Sequence, residues 1–186
     1  MVVMRKLAFI HLLALVFPVL GENYRFSAGC FDDRRGIVAF TQKIDGKLYL
    51  VLNDLERTSK KQIEINQKSS APTVCGEAVA ICYYGDGKII LYNYELQPVS
   101  EVVLGKGISP FYSACGSDGR FLYVYVVQFD NGPNLPRKFI YKYRWTEGNL
   151  TLDGSSSVEA VGTIVTYRDS VFVVNEKSCK MVTFAK

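Results

Sequence analysis

The chain has 186 residues, 48% hydrophobic and 22% charged, with 12 tyrosines, 11 phenylalanines and five cysteines. That balance excludes disordered, collagen-like and low-complexity classes, and at about 100–200 residues per domain it predicts a single core. Five cysteines are too few for a scaffold in which disulfides replace a core, and the formal charge of +4 hints at acidic partners.

The first element in chain order stands apart from the fold. Arg5 and Lys6 precede an apolar run over residues 7–17, Pro18 breaks it, and Val19-Leu20-Gly21 places small or modest residues at the −3 and −1 positions of a cut. This is the pattern of a secretory signal peptide, residues 1–21, and it predicts a secreted, extracellular protein whose single domain is residues 22–186. Residues 7–20 make an apolar stretch of 14, short of the ~20 that a spanning helix needs, so no stable membrane span is expected. Cleavage removes two of the 22 cations, leaving 20 against 18 acids. A chain so near neutrality, with no basic run longer than Lys60-Lys61, has no electrostatic footprint for nucleic acid, and the hint of acidic partners falls away.

The only histidine, His11, leaves with the signal. Without imidazole, Ser-His-Asp and Cys-His nucleophilic sites and histidine-built zinc sites cannot be assembled. Cys30, Cys75, Cys82, Cys115 and Cys179 contain no CxxC, and no GxGxxG or GxxxxGK[ST] is present, so no cofactor is expected. Carboxylate chemistry or an oxygen-ligand cation such as calcium is what survives.

Beyond the signal, four stretches share a plan. Residues 36–40 lead to Asp45-Gly46 and then 47–52; residues 79–84 lead to Asp86-Gly87 and then 88–92. Residues 111–115 lead to Asp118-Gly119 and then 120–125; residues 161–167 lead to Asp169-Ser170 and then 171–174. Each is a β-rich run, a tight-turn dipeptide and a second β-rich run. Asp-Gly suits such turns because glycine takes positive φ freely. A third strand is expected after each hairpin, at 62–65, 99–104, 139–145 and 180–184, and no helical stripe is visible. The fold class is therefore all-β, four antiparallel meander repeats. The turn aspartates are 41, 32 and 51 residues apart, an average close to the ~40–45 residues of a four-stranded propeller blade. The third unit carries an inserted loop at 130–137 whose prolines argue against a buried strand.

With these units of β-run, Asp-Gly, Lys or Arg, and Tyr-bearing β-run, the chain from about Tyr24 onward resembles a β-propeller repeat protein. One form of the resemblance is a four-bladed disc similar to a hemopexin-type domain, although the Asp-Ala-x-Phe blade opening of that family is missing. It implies a disulfide tying first blade to last, a role Cys30 and Cys179 could fill. The other form is part of a six- to eight-bladed propeller completed by a second chain or further residues. A β-sandwich or barrel with frequent Asp-Gly turns fits the same strand spacing. Cys82 and Cys115 stand at similar distances before their turn aspartates, which suggests a second pairing and leaves Cys75 as the odd thiol, buried or linking a homodimer. Asn149-Leu150-Thr151 is an N-glycosylation sequon.

Candidate sites follow from residue type. Asp45, Asp86, Asp118 and Asp169 could ring a cation, although aspartate is also an ordinary turn residue. Asp32-Asp33-Arg34-Arg35 reads as a charged edge or a solvated connection. Glu77, opening an apolar strand, is the acid expected to be partly buried, and a raised pKa there would suit acid catalysis. The loop residues Asp130, Asn131, Asn134 and Arg137, with Tyr141, Tyr143 and Trp145, form the expected binding surface, since loops on rigid scaffolds carry binding residues and tyrosine is enriched at interfaces and sugar sites. The function expected is non-catalytic binding of an extracellular protein or glycan through loops and exposed tyrosines. The alternatives are a carboxylate glycoside hydrolase on a small propeller and a truncated propeller acting as a structural or oligomerising unit.

Overall fold

The computed structural model describes residues 25–129, 135–146, 148–159, 161–168 and 170–184. The signal segment, Asp130, Asn131, Asn134 and Asp169 lie outside them.

Four antiparallel meanders account for all the strands among the described residues. Sheet one is β1 (Arg25–Asp32), β2 (Ile37–Ile44), β3 (Lys47–Asp54) and β4 (Ser59–Ile65). Sheet two is β5 (Thr73–Cys75), β6 (Ala78–Tyr83), β7 (Lys88–Tyr92) and β8 (Pro98–Val103). Sheet three is β9 (Ile108–Cys115), β10 (Phe121–Gln128), β11 (Arg137–Thr146) and β12 (Asn149–Ser157). Sheet four has three strands, β13 (Thr163–Tyr167), β14 (Ser170–Asn175) and β15 (Ser178–Val182). Each strand pairs with its neighbour in sequence, so every connection is local. No helix of the described residues is long and apolar enough to cross a membrane.

The sheets pack side by side through their first strands: β1 lies against β5, β5 against β9, and β9 against β13. First strands thus form a hub and later strands run outward. Because side chains alternate across a strand, an interior sheet feeds two cores at once. In β6, Val79, Ile81 and Tyr83 enter the core shared with sheet one, while Ala78, Ala80 and Cys82 enter the core shared with sheet three. In β10, Leu122, Val124 and Val126 face sheet two, and Tyr123 and Tyr125 face sheet four. Strands covered on both faces read as unbroken apolar runs rather than alternation, which is how residues 79–84 and 121–126 look. Burying side chains such as Leu50, Ile81 or Leu122 completely is worth about 1.5–3 kcal/mol each.

The repeat frame differs from the one drawn on the turn aspartates. Asp45-Gly46 and Asp86-Gly87 join the second and third strands of their sheets, whereas Asp118-Gly119 joins the first and second. The expected trios were therefore strands two to four in sheets one and two, and strands one to three in sheets three and four. Asp-Gly serves either hairpin equally well, so the dipeptide fixes a turn without fixing its rank. The dipeptide pattern does not mark the hub strands β1 and β5 or the rim strand β12. Cys30, Cys75 and Cys115 each stand within the last three residues of a hub strand; Cys30 and Cys75 face the following sheet, whereas Cys115 faces the preceding one.

Candidate functional site

Connections between successive antiparallel strands alternate between the two ends of a sheet. First and third turns open at one end, and second turns at the other. Asp45 and Asp86 therefore lie at the opposite end from Asp118, and all three are exposed. Asp86 accepts a hydrogen bond from Asn66 and Asp118 from the Arg120 backbone N–H. The structure does not bring them together, and no group of three potential metal ligands occurs among the described residues.

The polar constellation that the structure does assemble sits at the end of the first and third turns, between sheets one and two. Its centre is Asp32, the last residue of β1, whose side chain is only 5% exposed. Asp32 Oδ1 accepts from the Arg34 backbone N–H at 3.0 Å, and Oδ2 accepts from Arg35 Nη1 at 3.2 Å and from the Tyr94 hydroxyl at 2.7 Å. Arg35 lies 5.3 Å from the centre of the Tyr94 ring and reaches across to Glu77 Oε1 at 2.8 Å. Beside this group Lys61 pairs with Glu95 at 2.5 Å, and a small cleft of about 90 Å³ opens between Asp54, Arg57, Lys61 and Tyr94.

Burial on its own would raise the Asp32 carboxyl, but the hydrogen bonds from Tyr94, Arg35 and the Arg34 N–H outweigh it and hold the group below the usual carboxylate range. The hydrogen bond to Asp32 raises Arg35 in turn. Burial, reinforced by the bond to Asp32, raises the Tyr94 phenol. A carboxylate kept ionised with both oxygens engaged has no proton to donate. Asp32 and Glu77 are bridged by one guanidinium rather than flanking a cavity as the acid pair of a glycosidase does.

Glu77 departs from its expectation: it lies in the β5–β6 turn with its side chain 82% exposed, and the buried acid is Asp32. The tyrosines also depart from theirs. Tyr143 is buried in the core between sheets two and three, Tyr141 and Trp145 pack against that core, and Arg137 starts β11. Trp145 lies over the β5–β6 turn, within 3.1 Å of where a Cβ on Gly76 would stand. Among the described residues the exposed tyrosine is Tyr167, on the fourth sheet, at 63%. Asn149 is exposed at the start of the rim strand β12.

No two of the five cysteines are joined in the structure. Cys30 points at the Val74 backbone inside the first junction, and burial pushes it up to about 12. Cys179 is exposed on β15, on the face of sheet four turned away from sheet three. The structure does not bring Cys30 and Cys179 together. Cys82 is buried among the hydroxyls of Ser70 and Ser113, with burial again pushing its thiol up to about 12. Cys75 is buried against Cys115, so it is neither solitary nor available to another chain, and the thiol facing Cys115 is not that of Cys82.

A second, shallow cleft of about 520 Å³ lies between Tyr112, residues 161–163 and the β14–β15 turn. Its one acid is Glu176.

No protein-family model matches the sequence, and no curated protein does. Solved structures do match in shape. Acylaminoacyl peptidase from Pyrococcus horikoshii superposes with a TM-score of 0.62 at 14% identity, over 82% of this chain and 28% of that one. The β-propeller domain of the Trilobed protease from Pyrococcus furiosus, described as having an open velcro topology, superposes with a TM-score of 0.56 at 11% identity, over 90% of this chain and 56% of that one. The fold is β-propeller-like. At such identities the likeness concerns architecture, and the four sheets are blades. The chain spans little more than half of the propeller domain and about a quarter of the peptidase. Among the described residues three apolar cores fill the three junctions between consecutive blades, and none joins the fourth blade to the first.

Proposed function

We propose that the protein is a secreted, non-catalytic binding module that uses the free face of its fourth blade to hold another protein, a second copy of the same chain. The observation that carries this reading is the chemistry of that face. Register places Val165, Tyr167, Phe172, Val174, Cys179 and Met181 on the side of blade four away from blade three. Val165 is 45% exposed, Tyr167 63% and Met181 60%, although the equivalent faces inside the arc are sealed by the next blade. An apolar patch of this kind marks an interaction site. None of the six is charged, and the Arg168 guanidinium, 5.3 Å from the Tyr167 ring centre, sits at one end of the face, so most of its area can oppose its own copy across a two-fold axis without like-charge repulsion. The engagement of Asp32 by three donors supports the non-catalytic side of the reading, and the signal-like residues 1–21 support secretion.

The test is the sedimentation mass of protein recovered from the medium of cells expressing the full chain, with and without reductant. A dimer that persists in reductant and is lost in Val165→Asp/Met181→Asp is the expected result. A monomer at every concentration overturns the reading, as does retention of the protein inside the cells.

A further inference from the structure

We propose that Cys75 and Cys115 are the two halves of a disulfide that fastens the hub strand of blade two to that of blade three. The strands are already held in the register such a bond requires. Thr73 Oγ1 donates to the Ser113 carbonyl at 2.9 Å and accepts from the Ser113 hydroxyl at 3.0 Å. Those two residues are 40 apart in sequence. Two residues further along each strand, on the same face by the alternation of β-structure, stand Cys75 and Cys115, also 40 apart. Their side chains meet in the core between the blades. The Cys75 thiol lies 3.5 Å from the Phe121 carbonyl and 3.6 Å from that of Gly119, both on the hairpin that follows Cys115. The Phe121 carbonyl also accepts the Gly116 N–H, so the thiol is seated on the turn that Cys115 begins. Two other cysteines stand near the pair, Cys82 in blade two and Cys30 in blade one, the latter within electrostatic reach of Cys115. Cys82 is enclosed by serine hydroxyls and Cys30 bonds to the Val74 backbone, whereas Cys75 is the cysteine that hydrogen-bonds Cys115 directly.

The reaction needs an oxidant, and a small disulfide such as glutathione disulfide supplies it. Cys115, partly exposed at the end of β9, reacts first. Its thiolate, having released its proton to solvent, attacks one glutathione sulfur and expels the other as a thiol. Cys75 then gives up its proton and attacks the Cys115 sulfur of the mixed disulfide, expelling the second glutathione. Two protein thiols lose two electrons and two protons, and one glutathione disulfide is reduced to two thiols. The order follows from surroundings, because the hydrogen bond with Cys115 and burial both hold the proton on Cys75.

Disulfide mapping of the purified chain after equilibration with glutathione disulfide tests this. Remaining thiols are alkylated in denaturant. Cleavage after Glu77 then separates Cys75 from Cys82, and trypsin isolates Cys115. The expected product is a Cys75–Cys115 linked peptide pair, with Cys82 alkylated. Closing a loop of about 40 residues, the bond should raise Tm by about 10 °C over the reduced protein. That difference should vanish in Cys75→Ser and Cys115→Ser and persist in Cys82→Ser. Recovery of both Cys75 and Cys115 in alkylated form, or of Cys115 joined to Cys82 or Cys30, overturns the proposal. The mapping is indifferent to whether the protein dimerises, so the two readings fail separately.

Discussion

At the scale of single residues, Asp32 is held by three donors at once. Its carboxylate is nearly solvent-free and satisfied by a phenol, a guanidinium and a backbone amide. Replacing it by asparagine keeps the volume but removes the charge that Arg35 neutralises, a change expected to cost about 1–3 kcal/mol. The pH dependence has a definite sign. The folded-state pKa is lowered, so the stabilisation is fully present above the unfolded carboxyl value of about 3.9 and is lost as pH falls through the folded value. Urea midpoints for the native chain and Asp32→Asn should therefore differ by a constant amount at neutral pH and converge below about pH 4. An equal gap at pH 7 and pH 2.5 would show that the charge is not what stabilises the site.

At the scale of elements, the blades meet where turn touches turn. Gly76, at φ +60°, packs on Gly119, and a Cβ added to Gly76 would stand 3.1 Å from both the Gly119 carbonyl and Trp145. Gly46 has φ +81° in the β2–β3 turn, with nothing within 4 Å of an added Cβ. Alanine at Gly46 therefore meets only the left-handed backbone penalty, about 1–2 kcal/mol, whereas alanine at Gly76 adds a steric cost of about 1–3 kcal/mol. Chemical denaturation should rank Gly76→Ala well below Gly46→Ala in stability, and equal midpoints would refute the turn-on-turn contact. The same turns explain what could be read in advance. Apolar runs and Asp-Gly dipeptides were enough for strands, meanders and a repeat of propeller length. They were not enough for the frame, because both hairpins of a blade accept Asp-Gly. In the first two blades the frame is carried instead by the hub cysteine and the acid two positions after it, Cys30 with Asp32 and Cys75 with Glu77. Seen in that column, Asp32 and Glu77 are equivalent, and neighbours decide their fates. Asp32 meets Tyr94 from the adjacent blade and is buried, while Glu77 has only Arg35 and stays in water. Nothing local to Asp-Asp-Arg-Arg distinguishes those outcomes.

At the scale of the whole molecule, stability is distributed unevenly along the arc, as in repeat proteins where each unit is held by its neighbours. Blade two is covered on both sides, and every residue of β6 is buried. Blade four has three strands and rests on blade three through Ile164, Val171, Val173 and Val182 alone among its own buried residues. Amide hydrogen exchange should accordingly be slowest in β6, β7 and β10 and fastest in β14 and β15, with blade four opening in a transition smaller than global unfolding. Side-chain deletions should follow the same gradient. Ile81→Ala leaves a cavity between two blades, at a cost of about 2–5 kcal/mol. Met181→Ala, on the free face, should fall within about 0.5 kcal/mol of the parent in dilute solution. If blade four is paired with a second copy, its protection should rise with protein concentration while that of β6 stays fixed, because binding stabilises only what it covers. Uniform exchange across all four blades at low concentration would mean that the fourth blade is held from both sides, against the single core that joins it to blade three among the described residues.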